Sequence, residues 1–229
     1  MYQLVNQPFI IYYVIQKLKK KIITKQILTC AEKRKLQIQT YNKQIKNAIN
    51  KSTMNNIISI DEVSIDSHID NDKGWSKYGS KVTRIKNYPR IRYSLVAAIS
   101  NKKVIHYQII KNSFNGELFL NFIKNLLKKL SLDDNYYIIL DNARIHHYTE
   151  LKKYINRRPN IKIIYNIPYT PETNPIEHVF NDIKTYIKSK HINNSNIINQ
   201  IKKSIKTIKK KNLCSYFIKS LITDLNKLL

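Results

Sequence analysis

The sequence predicts an α/β protein built on one mixed sheet flanked by helices, with basic helical extensions at both ends. Three observations predict it. A β-branched run at Ile57–Ile60 is followed by two more strand candidates at hairpin spacing, Tyr136–Leu140 is an unbroken apolar run, and helical periodicities stand between and after the later strands. With 229 residues and 42% hydrophobic content, the chain can bury one good-sized core, so one principal domain is expected.

The elements follow in order. Ile10 to Asn50 is basic, and no Pro or Gly stands between Pro8 and Gly74, so two or more helices are expected before the sheet. Ile57-Ile58-Ser59-Ile60 reads as a buried strand ending at Asp61-Glu62. Asp70–Gly74 is turn-rich. Strands are then predicted over Arg90–Ile99 and Val104–Ile110, joined by Ser100–Lys103, which with the first strand gives an antiparallel meander. Phe119, Phe122, Ile123, Leu126, Leu127 and Leu130 repeat at three and four, which predicts a helix over 116–130. The apolar run Tyr136–Leu140 has the look of a central strand covered on both faces, and it stops at Asp141. A short helix over Thr149–Asn156 and a strand over Ile161–Ile167 come next. Asn174 as N-cap and Pro175 at the first helical position then open a helix with Glu177 in its first turn. Two amphipathic helices close the chain, the first with Ile201, Ile205 and Ile208 on one face and lysines on the other. Three strands, helix, strand, helix, strand, helix is the order of a ribonuclease H-like fold.

Charge points to the partner. Lys+Arg 41 against Asp+Glu 15 leaves a formal +26, beyond what solubility requires, and a polyanion is the expected partner. Residues 1–56 carry 11 basic and 1 acidic side chains, residues 183–229 carry the same, and the middle holds the other 19 basic and 13 acidic. Codon bias in an AT-rich genome can enrich lysine, but it does not place the acids. No apolar run approaches the roughly 20 residues that span a bilayer, and Pro8–Ile15 is too short and lacks a small-residue cleavage site. Cys30 and Cys214 lie far apart without metal-ligand spacing, which suits structural thiols in a reducing compartment. An intracellular protein in a DNA-containing compartment (nucleus, nucleoid or viral factory) is expected, not secreted, with no membrane partner and no small-molecule substrate.

Asp61, Asp141 and Glu177 stand at the ends of successive elements. In an open α/β sheet, groups beyond strand ends line the ligand crevice, and adjacent central strands would bring Asp61 and Asp141 together. Oxygen donors without cysteine suit Mg²⁺ or Mn²⁺, and two such ions serve in-line displacement at phosphorus. Crowded carboxylates repel, so one of them should have a raised pKa. Each has an ordinary alternative as well: Glu177 completes a capping box with Asn174, Asp61 caps a turn beside a solvated Glu62, and Asp141-Asn142 forms a strand-ending turn.

The local sequences add a resemblance. Ile60-Asp-Glu62, Leu140-Asp-Asn-Ala-Arg-Ile-His146 and Tyr169-Thr-Pro-Glu-Thr-Asn-Pro-Ile-Glu177 resemble the three catalytic motifs of mariner-like transposases and related bacterial insertion-sequence enzymes, within the DDE superfamily. There are 35 residues between Asp141 and Glu177, close to the mid-thirties spacing of these families, and the final glutamate fits their glutamate branch. Trp75–Gly79 resembles the Trp-and-Gly segment after the first motif.

Over about residues 57–190 the resemblance implies a catalytic domain that cuts and joins DNA, with Asp61, Asp141 and Glu177 holding two Mg²⁺ or Mn²⁺ ions. Residues 191–229 would be basic helical cover. Glu62, Asn142, His146 and Asn174 are expected near the site, and Trp75, Lys77, Tyr78, Arg144 and Tyr169 are candidate DNA contacts. A homodimer on element ends is a further expectation. Relatives carry paired helix-turn-helix modules ahead of this domain, whereas here only residues 1–56 precede it, with 11–26 as the candidate tail of a recognition helix. A shortened copy, a split gene or a domesticated remnant is therefore expected. The competing readings are a catalytically silent DNA-binding remnant and another ribonuclease H-like nuclease.

Overall fold

A computed structural model describes residues 29–70, 75–81, 83, 85–190 and 192–228. The helical expectations over residues 10–28, the candidate recognition helix among them, and the turn at 71–74 lie outside the described residues. The chain divides into two compact units, residues 1–33 and 34–229. In the first, Thr29 and Glu32 form a reciprocal cap: the Glu32 carboxylate accepts from Thr29 N–H at 2.8 Å, and Glu32 N–H donates to Thr29 Oγ1 at 3.2 Å. That cap opens helix α1 (Cys30–Lys51).

The second unit holds the sheet. Its strands are β1 (Ile57–Asp66), β2 (Arg92–Ile99), β3 (Val104–Lys111), β4 (Tyr136–Leu140) and β5 (Ile161–Tyr165), in the order β3-β2-β1-β4-β5. Pairing is antiparallel from β3 through β1 and parallel from β1 through β5. The helices are α2 (Gly116–Leu127), α3 (Thr149–Asn156), α4 (Pro175–Lys188), α5 (Ile197–Thr207) and α6 (Lys210–Ile218), followed by a π-helical turn at Lys219–Asp224 and a last short turn at Leu225–Lys227. This is the mixed, helix-flanked sheet of the ribonuclease H-like class.

Alternation along the strands sends side chains to two cores. Ile57, Val63, Ile65, Tyr137 and Ile139 meet Ile45 of α1, Phe180 and Ile183 of α4, Ile201 of α5 and Phe217 of α6. Ile58, Ile60, Val96 and Ile138 meet Phe119, Phe122 and Ile123 of α2 and Leu151 of α3. Both faces of β1 and β4 are thus covered, which is why β4 is apolar throughout. Each fully buried Phe, Ile or Leu contributes roughly 1.5–3 kcal/mol.

Several boundaries differ from the sequence reading. β1 does not close at Asp61 but continues to Asp66, because Val63 and Ile65 bury on the α4 face while pairing with Leu95 and Tyr93 of β2. What stops near Asp61 is the pairing with β4, whose last matched residues are Ser59 and Ile139. Helix α2 ends at Leu127, with 128–130 in a turn, and β5 ends at Tyr165, where the chain bends into the 166–174 loop. Asn166 N–H still donates to Leu140 O at 2.7 Å, so the bend is anchored to β4.

Candidate active site

Register brings two carboxylates together. Ser59 and Ile139 are partners on the parallel strands β1 and β4, and Asp61 and Asp141 each lie two residues further on, so both project to the α4 face. Helix α4 opens on that face with Pro175 at its first position and Glu177 in its first turn. Asp61, Asp141, Asn142, Tyr169, Asn174 and Glu177 line one cleft of about 370 Å³, walled by the loop from Asn166 to Pro171. Glu62, His146, Trp75, Lys77 and Arg144 are not part of this lining.

A hydrogen-bonded chain runs from the helix to Asp61. Asn174 stands at the N-cap position, yet its side chain does not cap α4. Its amide Nδ2 donates to Asp61 Oδ2 at 2.9 Å, and its Oδ1 accepts from Ser59 Oγ at 2.5 Å. Ser59 Oγ in turn accepts the Ile176 N–H at 3.3 Å and so caps the helix in place of Asn174. The capping box that was the alternative reading of Asn174 and Glu177 is therefore not formed, and the Glu177 side chain faces the cleft. Ser59 was missed by sequence reasoning, although a lone hydroxyl inside a buried Ile run is itself a signal.

Asp61 is 8% exposed. Burial first of all pushes its pKa up to about 7; the Glu62 N–H on Oδ1 opposes this, and the charges of Asp141 and Glu177 add to the rise. Burial also raises Glu177, countered by Lys184 and reinforced by Asp141. For Asp141 burial acts upward too, but the His146 hydrogen bond and the Ala143 N–H outweigh it and hold the group below its usual range. The expected repulsion is thus present, and it falls chiefly on Asp61, where burial is the larger cause.

His146 is a buried companion of Asp141. Only 1% exposed, it donates from Nδ1 to Asp141 Oδ1 at 2.6 Å, while its Nε2 lies 3.8 Å from Glu62 Oε1, an ion-pair distance. Burial alone would lower its pKa, but Asp141 and Glu62 more than offset it and raise the pKa to about 9. The Glu62 side chain points to the α2 face, opposite Asp61, and meets the site through this imidazole. Phe119 of α2 lies against the His146 ring, with centroids 4.4 Å apart.

Asn142 donates to Asn166 O at 2.7 Å and ties the end of β4 to the loop. Within the loop, Thr173 Oγ1 donates to Asn166 Oδ1 at 2.7 Å, and Tyr41 OH of α1 donates to Thr173 O at 3.3 Å. Asn166 carried no sequence signal, and Thr173 stood inside the third motif without a role of its own, because their bonds depend on how the loop folds back. Tyr169 stands on the lip, 96% exposed and at φ +56°, a left-handed conformation unusual for a residue with a Cβ. Trp75, Lys77, Tyr78 and Arg144 are exposed on the surface. Cys30 and Cys214 are free thiols.

Among the described residues no three His, Cys, Asp or Glu side chains are gathered into a ready metal cage. Asp61, Asp141 and Glu177 instead border an open cleft, and their oxygen-only donor set fits a hard cation that keeps several waters and takes further oxygens from a phosphate. Both Asp61 oxygens already accept a hydrogen bond, which fixes the carboxylate plane and leaves lone pairs facing the cleft.

The family model for DDE superfamily endonucleases matches residues 56–210, about two-thirds of the chain. The chain belongs to the DDE superfamily. The three carboxylates of this DDE endonuclease domain lie within the matched stretch. Among solved structures, the fold is similar to a Mos1 transposase paired-end complex with left transposon end (TM-score 0.70, 14% identity, 98% of this chain and 70% of that one). It is also similar to a Mos1 mariner paired-end complex with Mn (TM-score 0.71, 15% identity, 97% and 70%) and to the catalytic domain of Mos1 mariner transposase (TM-score 0.65, 13% identity, 90% and 96%). At such identities the likeness is one of fold. No curated protein sequence matches the chain. Among the described residues no helix is long and apolar enough to cross a membrane.

Proposed function

We propose that this DDE domain is the catalytic domain of a DNA transposase, which cuts and rejoins DNA strands by in-line attack on phosphodiesters. The observation that carries the reading is the meeting of Asp61, Asp141 and Glu177 in one open cleft of a DDE-family fold. Asp61, Asp141 and Glu177 would hold two Mg²⁺ or Mn²⁺ ions, which when bound supply an activated oxygen nucleophile and charge stabilisation at the leaving oxygen.

The chain's own residues supply position. Asn174 and the Glu62 N–H orient Asp61, and His146 orients Asp141, so two carboxylates enter the cleft with fixed planes. The basic flanks neutralise phosphates, with Trp75, Lys77, Arg144 and Tyr169 as exposed candidates for contact with DNA. Residues 57–190 would be the catalytic body, 191–229 its basic helical cover, and 1–56 a basic helical segment. The active assembly on element ends would be a homodimer in a DNA-containing compartment.

Incubating the purified protein with duplex DNA and Mg²⁺ or Mn²⁺ tests this. Nicking and joining are expected, and Asp141→Asn should reduce both to background while leaving DNA binding and fold intact. Unchanged activity in that variant rejects the assignment. A wild type silent on duplex with either metal is instead a DNA-binding remnant, and cleavage confined to branched DNA or RNA–DNA hybrid marks a different ribonuclease H-like nuclease.

A further inference from the structure

One edge of the sheet is open along β3, which pairs with β2 on one side and, among the described residues, with no strand on the other. Asn112 N–H donates to Arg92 O at 3.0 Å, and bonded and unbonded pairs alternate along an antiparallel ladder. The backbone groups of Ile110, Gln108 and His106 therefore turn to β2, and those of Ile109 and Tyr107 turn outward. From Val104 to Ile110 the strand has no Pro, Lys, Asp or Glu, the residues that usually blunt an edge.

A groove of about 590 Å³ runs along the first half of this edge. Ile205 and Ile208, at the C-terminal end of α5, form an apolar wall on one face of the sheet, and Lys129, just past α2, stands on the other. Lys129 Nζ donates to His106 Nδ1 at 2.9 Å, and the His106 ring stacks on Phe122 with centroids 4.9 Å apart, so the ammonium is held beside the strand. Lys102 and Lys103 close the groove at the β2–β3 turn, both exposed, and no Asp or Glu lines it.

These features together select an occupant. Outward N–H and C=O groups at two-residue spacing match the main chain of an extended peptide. The isoleucine wall takes an apolar side chain, and the lysines at the rim take carboxylates. A nucleic-acid backbone would answer the lysines but has no N–H for the outward carbonyls of Tyr107 and Ile109. A second copy of β3 fails on charge, because centring the pair on Tyr107 sets Lys103 of one copy opposite Lys111 of the other. Residues 1–28 contain no Asp or Glu, so the start of the chain does not supply the acids either.

We propose that the β3 edge docks another protein, which adds to the sheet an extended, β-branched segment with acidic residues at its ends. No residue lines both this groove and the carboxylate cleft, so such a partner and a DNA strand can be held at once. The proposal stands apart from the catalytic reading.

The test uses the full chain and a fluorescent synthetic peptide of about nine residues, Val and Thr alternating between two glutamates at each end. Anisotropy reads its affinity beside that of an N-methylated counterpart, which keeps the charges and loses the backbone donors. The wild type should bind the unmethylated peptide about tenfold more tightly. The Lys102→Glu/Lys103→Glu variant, changed only at exposed positions, should bind it about tenfold more weakly than the wild type does. Saturating duplex DNA should leave the peptide bound. Absence of binding, equal affinity for the two peptides, or affinity undiminished in the variant overturns the proposal. Displacement of the peptide by duplex DNA also overturns it and assigns the face to nucleic acid.

Discussion

The amide of Asn174 donates to Asp61 Oδ2 at 2.9 Å rather than to the helix it precedes, and Ser59 takes over the cap. One hydroxyl therefore serves helix stability and carboxylate orientation together. Ser59→Ala is expected to cost about 1 kcal/mol of stability through the lost cap, and 10–100-fold in Mn²⁺ affinity or strand cleavage through the released Asn174, by order of magnitude. Denaturant unfolding reads the first and a Mn²⁺ titration the second. A loss of stability with unaltered metal affinity would break the link between the two.

Divalent metal should stabilise the folded protein. At about 100 times its dissociation constant, Mn²⁺ adds about 2.7 kcal/mol, a rise of about 5–10 °C in Tm for a chain of this size. Chelator should reverse the rise, and Asp141→Asn should abolish it. Thermal scans of both proteins with and without metal give the answer, and an identical shift in the variant would show that the ions bind elsewhere.

Phe119 lies fully buried against the His146 ring. Phe119→Ala should cost about 3–5 kcal/mol through the cavity it leaves. Phe119→Leu, which keeps most of the volume, should fold while lowering strand cleavage more than DNA binding, because the ring that seats His146 under Asp141 is gone. Equal losses in binding and cleavage would count against that seating role.

An acid-dependent contribution is expected at the far end of β1. Burial acts to raise Asp66, but the Arg90 guanidinium at 2.7 Å and the His68 N–H at 2.8 Å outweigh it and lower its pKa from the ordinary 3.8. A carboxylate depressed in the folded state stabilises above its unfolded pKa and loses that stabilisation as the pH falls through the folded one. Arg90 is 64% exposed, so solvent screens the pair and keeps its contribution small. Arg90→Ala should be slightly less stable than wild type at pH 7 and equal to it in strong acid, as urea unfolding at the two pH values would reveal.

Much of this was legible because it depends on local pattern. The apolar run of β4, the periodicity of α2 and the Asn-Pro opening of α4 each state their element within a few residues, and Asp141 and Glu177 stand just after β4 and in the first turn of α4. The full length of β1 was hidden. Beyond Asp61 its residues alternate in burial instead of forming an apolar run, and the acids Asp61-Glu62 look like a terminus until β2 is seen alongside. The loop at 166–174 was hidden for another reason: its bonds join residues such as Thr173 and Tyr41, whose meeting depends on the tertiary fold. Ser59 lay between these cases, visible as an anomaly but without a partner that the sequence could name.

The bond from Asn174 to Asp61 spans 113 residues of chain. Nothing short of the whole succession from β1 to the start of α4 can form it, and the parallel β1–β4 pairing must already be in place. A chain that stops before residue 174 lacks this bond and also Glu177, the third carboxylate of the cleft.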